Sequence, residues 1–384
     1  MIRVAPFGMD LVLSAYYLAA PLLLIELKAN PVELGLVGSI TSAVHMSLAH
    51  RMGPLSDRFG RRRLILISPV LLVFSCLFAA VTHHVEVILL LSALNGLCLS
   101  LFWPPLQAWV ADLQTKSGLA RDIGTLNMAW TASYLIGPII SGFLFGFDPR
   151  LPFFFAAILS SALFLLSYTS IHDRPGKVKG KEPVAETPSS PWHKNFLYSA
   201  WIANFMSWFI LGNARYQFPK LARELGSGPQ TVGLLIGCLG FSLFLGFFLL
   251  RGSDFWHFRK RYLFGAQALA AAGLLTVYLF STPLLFGLAL ILIGLSASVT
   301  YYSSLLYAIR LSTEKGKGTG FHETVLSMGA LAGPILGGLG ANFFGLRIPY
   351  LICLVFLLVA VACEAVFLTR KDTTDQGRVT GAWS

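Results

Sequence analysis

The chain has 384 residues, of which 55% are hydrophobic and only 12% are charged, and its mean hydropathy is +0.69. Soluble domains carry about a quarter of their residues as charged side chains, so this composition excludes an ordinary soluble protein and indicates a surface that faces lipid. The net charge of +11 does not indicate a nucleic-acid partner, because the lysines and arginines form short clusters between apolar runs. Such clusters act as topology signals and contact anionic lipids.

The first half of the chain contains six apolar runs that are long enough to cross a bilayer. A spanning helix needs about 20 mainly apolar residues, because each residue adds about 1.5 Å. The first run is interrupted by Asp10 and is too long for the apolar core of a signal peptide, so we expect it to be retained. The predicted spans are Phe7 to Leu27, Val32 to Ala49, Leu64 to Val81, Val85 to Val110, Thr125 to Phe147 and Leu151 to Ile171.

A polar segment rich in Pro, Lys, Glu and Ser follows at residues 172–194 and predicts a solvated linker. Beyond it the sequence predicts six more spans and a polar tail at residues 371–384. The prediction is therefore an all-α membrane protein with twelve spans in two bundles, residues 1–171 and 195–370. The later spans are Phe196 to Phe218, Val232 to Leu250, Tyr262 to Phe280, Leu284 to Ile309, Thr319 to Phe344 and Ile348 to Leu368.

The basic residues predict an orientation. Most of the 29 lysines and arginines fall in alternate loops, together with both termini and the linker. Cytoplasmic loops carry the excess of basic residues in membrane proteins. We therefore expect both termini and the linker in the cytoplasm, and the protein in the cytoplasmic (inner) membrane.

The two halves of the chain resemble each other. The segment TLNMAWTASYLIGPIISG, Thr125 to Gly142, aligns with FHETVLSMGALAGPILGG, Phe321 to Gly338, with the Gly-Pro pair in register. A parallel six-plus-six repeat about an axis along the membrane normal is expected of a two-bundle transporter. The interface between two pseudo-symmetric bundles then forms the solute path, and rocking of the bundles gives alternating access.

The segment RMGPLSDRFGRRR between the second and third spans resembles the major facilitator superfamily signature GxxxDRxGRR. The resemblance implies the twelve-helix fold of that family and a latch for its outward-open state. Asp57 would accept hydrogen bonds at the start of the eleventh span near Thr319, where the helix dipole favours an anion. The basic residues would hold the loop through ion pairs and phospholipid contacts. The matching residues are Gly53, Asp57, Arg58, Gly60, Arg61 and Arg62.

A second resemblance lies in the Gly-Pro segments, where small residues at every fourth position let helices pack closely and the proline kinks the helix. The eleventh span matches the family pattern gxxxGPxxGG, and the fifth span carries a weaker form. In the family the fifth-span version is associated with proton-linked export. The predicted packing residues are Gly137, Pro138, Gly142, Gly329, Gly333, Pro334 and Gly337. Many proton-coupled members also carry an arginine where this chain has Ser92, so proton coupling stays open.

Polar side chains inside spans are expensive, so each is a candidate for the solute or coupling site. Asp10 would line the cytoplasmic half of the path or stabilise the start of its helix. Arg215 would bind an anionic solute, pair with Glu26 or reach the outer headgroups. Glu323 would take up a proton, pair with a basic loop or cap its helix, and His45 is either a proton carrier or a buried neutral side chain. The full set of candidates is Asp10, Tyr17, His45, Gln107, Trp208, Arg215 and Glu323.

The resemblance and the span pattern together predict a secondary transporter that moves a small solute by alternating access. Proton-coupled efflux by an antiporter competes with a uniporter or exchanger of an anionic metabolite, and with a non-transporting membrane scaffold or sensor. No loop carries paired carboxylates, a phosphate-binding glycine loop or a His/Cys cluster, so we predict no enzyme activity, metal or cofactor. The expected partners are the solute, protons and anionic lipids, and we expect a monomer.

Overall fold

The computed structural model describes residues 4–112, 119–171, 191–251, 255–311 and 315–369. Within these ranges the chain forms thirteen helices and no strand, which confirms the predicted all-α class. The helices are α1 (Val4–Glu26), α2 (Pro31–Phe59), α3 (Arg61–Val81), α4 (Val85–Asp112), α5 (Leu119–Phe147), α6 (Leu151–Ser170), α7 (Pro191–Tyr216), α8 (Phe218–Glu224), α9 (Pro229–Leu250), α10 (Lys260–Leu279), α11 (Pro283–Leu311), α12 (Lys315–Phe344) and α13 (Ile348–Thr369).

Eleven of the described helices are long and apolar enough to cross a membrane, and α7 completes the twelve long helices of the fold. Its mean hydropathy falls short because it carries polar residues, including Asn204 and Asn213, which are both fully buried. Asn213 faces α12 and donates to the carbonyl of Gly333 at 3.0 Å. Polar side chains of a spanning helix are expected to face protein in this way, because lipid offers no hydrogen-bond partner.

Two predicted boundaries are wrong. The segment that ends the second span is not a loop, because α2 stays helical to Phe59 and only Gly60, with φ +94°, separates it from α3. A positive φ suits glycine, so Gly60 makes the turn. The seventh span also ends earlier than Phe218: α7 stops at Tyr216, and a new short helix starts with Pro219 in its first turn, where proline is favoured.

The first-half and second-half helices pack against each other along two antiparallel helix pairs, α2 with α12 and α5 with α9. Within the halves, α1 packs on α5 and α7 packs on α12, as a duplicated chain would require. One apolar core belongs almost wholly to the first half, whereas a second core joins Leu18, Leu22 and Trp130 of the first half to many side chains of the second. The halves therefore share buried apolar surface at their interface.

We call the end of the bundle at which α1 begins and α13 ends the near end, and the opposite end the far end. The far end is closed by direct contacts between the halves. Ser39 of α2 donates to the carbonyl of Leu331 of α12 at 2.7 Å, and Gln217 donates to the carbonyl of Pro31 at 2.9 Å. Because a β-carbon added at Gly53, near the other end of α2, would meet no atom within 4 Å, this tight packing does not extend there.

Candidate functional site

A carboxylate on α1 and a guanidinium on α7 face each other across the interface between the halves. Asp10 is only 4% exposed, and its Oδ2 has no hydrogen-bond partner among the described residues. Arg215 is close enough to act electrostatically on Asp10, although the two side chains form no salt bridge. A buried polar atom without a partner is costly, so Asp10 is unfavourable in this position when it is ionised and unpaired.

Aromatic rings hold the guanidinium of Arg215 in the interior. Its Cζ lies 4.3 Å from the ring centre of Tyr134 on α5 and 5.2 Å from that of Trp208 on α7. Cation–π contacts of this geometry attract a guanidinium to the ring face. The buried Nη2 of Arg215 has no hydrogen-bond partner in the described part of the chain, so one donor of the guanidinium is left for a ligand.

These contacts show where the side chain of Arg215 lies relative to the groups named in its three predicted roles. Its side chain points into the protein and not toward the headgroups of the far end. It does not pair with Glu26, whose electrostatic neighbours are Arg223 and Asp148. Binding of an anionic group by Arg215 stays a prediction.

A wall of tyrosines lies beside this charged pair. Tyr17 packs edge-on against Tyr216 with 6.3 Å between ring centres, and it is close enough to Tyr134 and Asp10 to interact electrostatically. Because Tyr17 and Tyr134 belong to the first half and Tyr216 to the second, the wall crosses the interface. Tyr17 and Tyr216 are buried, so these rings are part of the packed interface between the halves.

A second carboxylate faces the same region from α12. Glu323 lies within hydrogen-bonding reach of Gln107 on α4, so this contact also crosses between the halves. Tyr301 of α11 interacts electrostatically with both Glu323 and Asp10, and its ring lies 6.4 Å from that of Trp208. The two carboxylates are therefore linked through one aromatic neighbour.

We call this set of side chains the central cluster. Gln107 is exposed, and Trp208, Arg215 and Glu323 are partly exposed, although they lie on helices within the bundle. These side chains are therefore not completely enclosed by protein atoms. The central cluster comprises Asp10, Tyr17, Gln107, Tyr134, Trp208, Arg215, Tyr301 and Glu323.

Six of the seven candidates from the sequence lie in the central cluster, and His45 does not. Its Nδ1 lies 3.2 Å from the hydroxyl of Ser100 on α4, within the first half. Sequence reasoning missed Tyr134 as a member, because a tyrosine in a span is more often a packing residue than part of a site. It also missed His322, which is fully buried, lies 2.7 Å from Ser304 through Nδ1 and packs edge-on against Tyr301. The one signal for His322 was its place next to Glu323.

The Gly-Pro segments lie where helices come closest. In α12, Gly333 leaves no room for a side chain beside the backbone of Phe209, and Gly337 none beside Asn213. In α5, Gly137 lies against Ser14, whose hydroxyl donates to the carbonyl of Ser133 at 2.9 Å. The α5 segment thus packs closely on α1, although Ser133 stands where the family pattern has a glycine.

The same segments also take part in contacts between the halves. A β-carbon at Gly142 of α5 would lie 2.8 Å from the Cα of Gly233 on α9, and Gly35 of α2 leaves no room beside the carbonyl of Pro334. Glycines that let two backbones approach this closely are typical of membrane helix interfaces. Packing inside each half and closure of the far end therefore use the same stretches of α5 and α12.

The predicted latch residues make contacts within the first half in this structure. Asp57 pairs with Arg61 at 3.1 Å, four residues along the chain. Arg62 donates to the carbonyl of Tyr168 at 2.7 Å and lies 4.8 Å from its ring centre, so it fastens α3 to the end of α6. A contact of Asp57 with the start of α12 stays a prediction for the state in which the near end is closed.

Comparison with known proteins gives relatives for both halves. The family model described as Major Facilitator Superfamily matches residues 4–214 and 200–382. The chain is 28% identical over 153 residues to the quinolone resistance protein NorA of Staphylococcus aureus (strain Mu50 / ATCC 700699), which covers 40% of this chain and 39% of NorA. It is 23% identical over 351 residues to multidrug resistance protein 2 of Bacillus subtilis (strain 168), covering 82% of this chain and 81% of that protein. The match to NorA thus spans about two fifths of either protein.

Solved structures with the same fold include transporters. A bacterial homolog of the human lysosomal transporter Spinster, in an inward-facing and unoccupied conformation, gives a TM-score of 0.75 at 16% identity, covering 96% of this chain and 95% of that one. The nucleoside transporter NupG gives a TM-score of 0.69 at 15% identity, covering 96% and 97%. At such identities the likeness concerns the fold alone.

Proposed function

Because the chain belongs to the Major Facilitator Superfamily and has the fold of its transporters, we propose that it exports small aromatic solutes in exchange for protons. The observation that carries this proposal is the central cluster, in which Asp10 of the first half and Glu323 of the second face one aromatic-lined space. Carboxylates in such a place can hold either a proton or a cationic group of a solute. Two relatives whose names state quinolone or multidrug resistance favour export of drug-like molecules.

Exchange follows if the proton and the solute compete for the same carboxylates. With the near end open, ionised Asp10 and Glu323 would attract the cationic part of a solute, while Tyr17, Tyr134 and Tyr301 offer ring faces to its planar part. After the halves rock, protons arriving from the far side would neutralise the carboxylates. The solute would then lose its electrostatic attraction and leave. The solute and the protons cannot occupy the carboxylates at the same time. Each cycle would therefore take solute outward and bring protons inward.

The distribution of the basic residues among the loops supports outward movement of the solute. With both termini in the cytoplasm, as the positive-inside rule predicts, the near end is cytoplasmic. The closed far end would then make this structure the state that loads solute from inside the cell. Since one chain supplies both halves of the path, we expect a monomer in the cytoplasmic membrane, with anionic lipids around the basic near end.

Transport in proteoliposomes tests the proposal. We expect purified protein to move a fluorescent cationic aromatic dye against its gradient only when a proton gradient of the appropriate direction is imposed. A protonophore should abolish accumulation, and dye fluxes should be accompanied by proton release or uptake measured with a trapped pH indicator. Dye movement that ignores the proton gradient would rule out the antiporter.

Arg215 favours a second candidate, an exchanger of anionic metabolites, because its Nη2 is buried and unpartnered in the central cluster. If the solute is anionic, Arg215→Gln should weaken its binding by about tenfold to a hundredfold, since hydrogen bonds to charged groups contribute about 1.5–3 kcal/mol. If the solute is cationic, the same change should leave binding unaltered or improve it. Binding titrations of both solute classes to the variant separate the two candidates. Arg347→Gln, on a residue that binds the end of α10, is the matched control for loss of a basic side chain.

A further inference from the structure

A further buried carboxylate lies away from the central cluster, between α10 and α13, and is paired with an amide side chain. Glu364 of α13 is fully buried, and Gln267 of α10 is 2% exposed. The amide nitrogen of Gln267 donates to Oε2 of Glu364 at 2.6 Å. The two remaining oxygens, Oε1 of Glu364 and Oε1 of Gln267, are both buried and have no hydrogen-bond partner within the described residues.

Within the described residues, no basic side chain compensates a charge on Glu364. It has no salt-bridge partner in the part of the chain that the structure describes. Beyond Glu364 on α13, Lys260 of α10 binds the carbonyl of Leu368, and Asn195 of α7 donates to the carbonyl of Phe367 at 3.1 Å. An ionised Glu364 would therefore leave a buried charge and two unpaired acceptors side by side, which is costly.

One proton removes both defects. A neutral carboxylic acid has one O–H donor and one remaining acceptor oxygen, whereas a primary amide has N–H donors and one acceptor oxygen. If Oε1 of Glu364 carries the proton, it can donate to Oε1 of Gln267 while the amide nitrogen donates to Oε2. The two side chains then form a closed pair with two hydrogen bonds and no unpaired oxygen.

We propose that Glu364 is a resident proton site, a neutral carboxylic acid that fastens α13 to α10 through Gln267. This site is separate from the proton that drives transport, because α10 and α13 pack against α7, α11 and α12 and contribute nothing to the central cluster. The pair holds α13 onto the second half, so that this half moves as one body when the far end opens. Its proton stays in place throughout the transport cycle.

Three variants test this assignment. Glu364→Gln replaces the acid by an amide, which can form the same closed pair with Gln267 without any titratable proton. We expect this variant to keep the melting temperature, transport rate and proton coupling of the wild type. Glu364→Ala and Gln267→Ala each leave one buried partner unpaired, and we expect both to lower the melting temperature by several degrees.

Infrared difference spectra distinguish a protonated Glu364 from a charged Glu364 with a purely structural role. The carbonyl-stretch band of a protonated, hydrogen-bonded carboxylic acid should be present in the wild type at neutral pH and absent from Glu364→Gln. No change in that band on substitution would overturn the proposal. So would a melting temperature of Glu364→Gln as low as that of Glu364→Ala, or loss of proton coupling in Glu364→Gln. If Glu364→Ala fails to fold, Glu364→Gln and Gln267→Ala still decide.

Discussion

Replacement of Asp10 by asparagine should abolish proton-driven export while the protein stays folded. Asparagine keeps the size and shape of the side chain but can neither carry a negative charge nor release a proton. We expect gradient-driven export to fall to the level of protein-free liposomes, because no proton can bind and leave at position 10. Export rates in proteoliposomes with an imposed proton gradient measure this directly.

The physical reason lies in the position of Asp10. Its carboxylate is 4% exposed, faces Arg215 across the interface between the halves, and has one oxygen without a partner. A buried carboxylate of this kind is costly to keep ionised unless a cation is near, so solute, Arg215 and proton all influence its charge. Asparagine cannot take part in that competition.

Exchange of labelled solute across the membrane without a proton gradient separates coupling from binding. We expect Asp10→Asn to retain this exchange, because the aromatic surfaces of Tyr17 and Tyr134 and the second carboxylate, Glu323, remain in place. Glu364→Gln is the matched control, since it also removes a buried carboxylate but outside the central cluster. Full gradient dependence in Asp10→Asn would show that Asp10 is not the coupling group.

The sequence was sufficient to predict the helices and their pairing into halves, because the constraint behind them is simple. Lipid cannot satisfy backbone groups, so an apolar run of sufficient length must be a helix. The sequence was less informative where polar residues interrupt the apolar pattern. The polar segment RMGPLSDRFG predicts a loop at the end of α2, yet the chain stays helical to Phe59, since polar residues beyond the lipid do not break a helix.

The central cluster could be predicted only in part for a different reason. The hydropathy pattern shows that a polar side chain lies in a span. It does not show which face of the helix is turned toward the interface between the halves. His45 and Asp10 are alike as isolated polar residues, yet His45 contacts Ser100 within the first half while Asp10 faces the second. Tyr134 gave no signal, because a tyrosine in a span is more often packing than a site. Its role follows from the contact with Arg215, which joins residues far apart in the chain.

A bulky residue at Gly233 should hold the far end open. In this structure a β-carbon at Gly233 of α9 would lie 2.6 Å from the carbonyl oxygen of Pro138 and 3.0 Å from the Cα of Gly142 on α5. These are backbone atoms of the opposite half and cannot rotate away. Overpacking of a tight contact costs about 1–3 kcal/mol, and each ~1.4 kcal/mol changes an equilibrium tenfold. We therefore expect Gly233→Val to shift the population toward the state with an open far end by about tenfold or more.

Cysteine accessibility from the far side measures this shift. A cysteine placed at Ser39, which faces Leu331 of α12 in the closed far end, should react with a membrane-impermeant maleimide faster in Gly233→Val than in the parent. Transport should fall in step, because the cycle requires the far end to close. Gly265→Val on α10 is the control. It adds the same β-branched side chain to a helix, but a β-carbon at Gly265 meets no atom within 4 Å. Equal labelling in both variants would mean that α5 and α9 do not separate at Gly233 during the cycle, and that the halves open elsewhere along the interface.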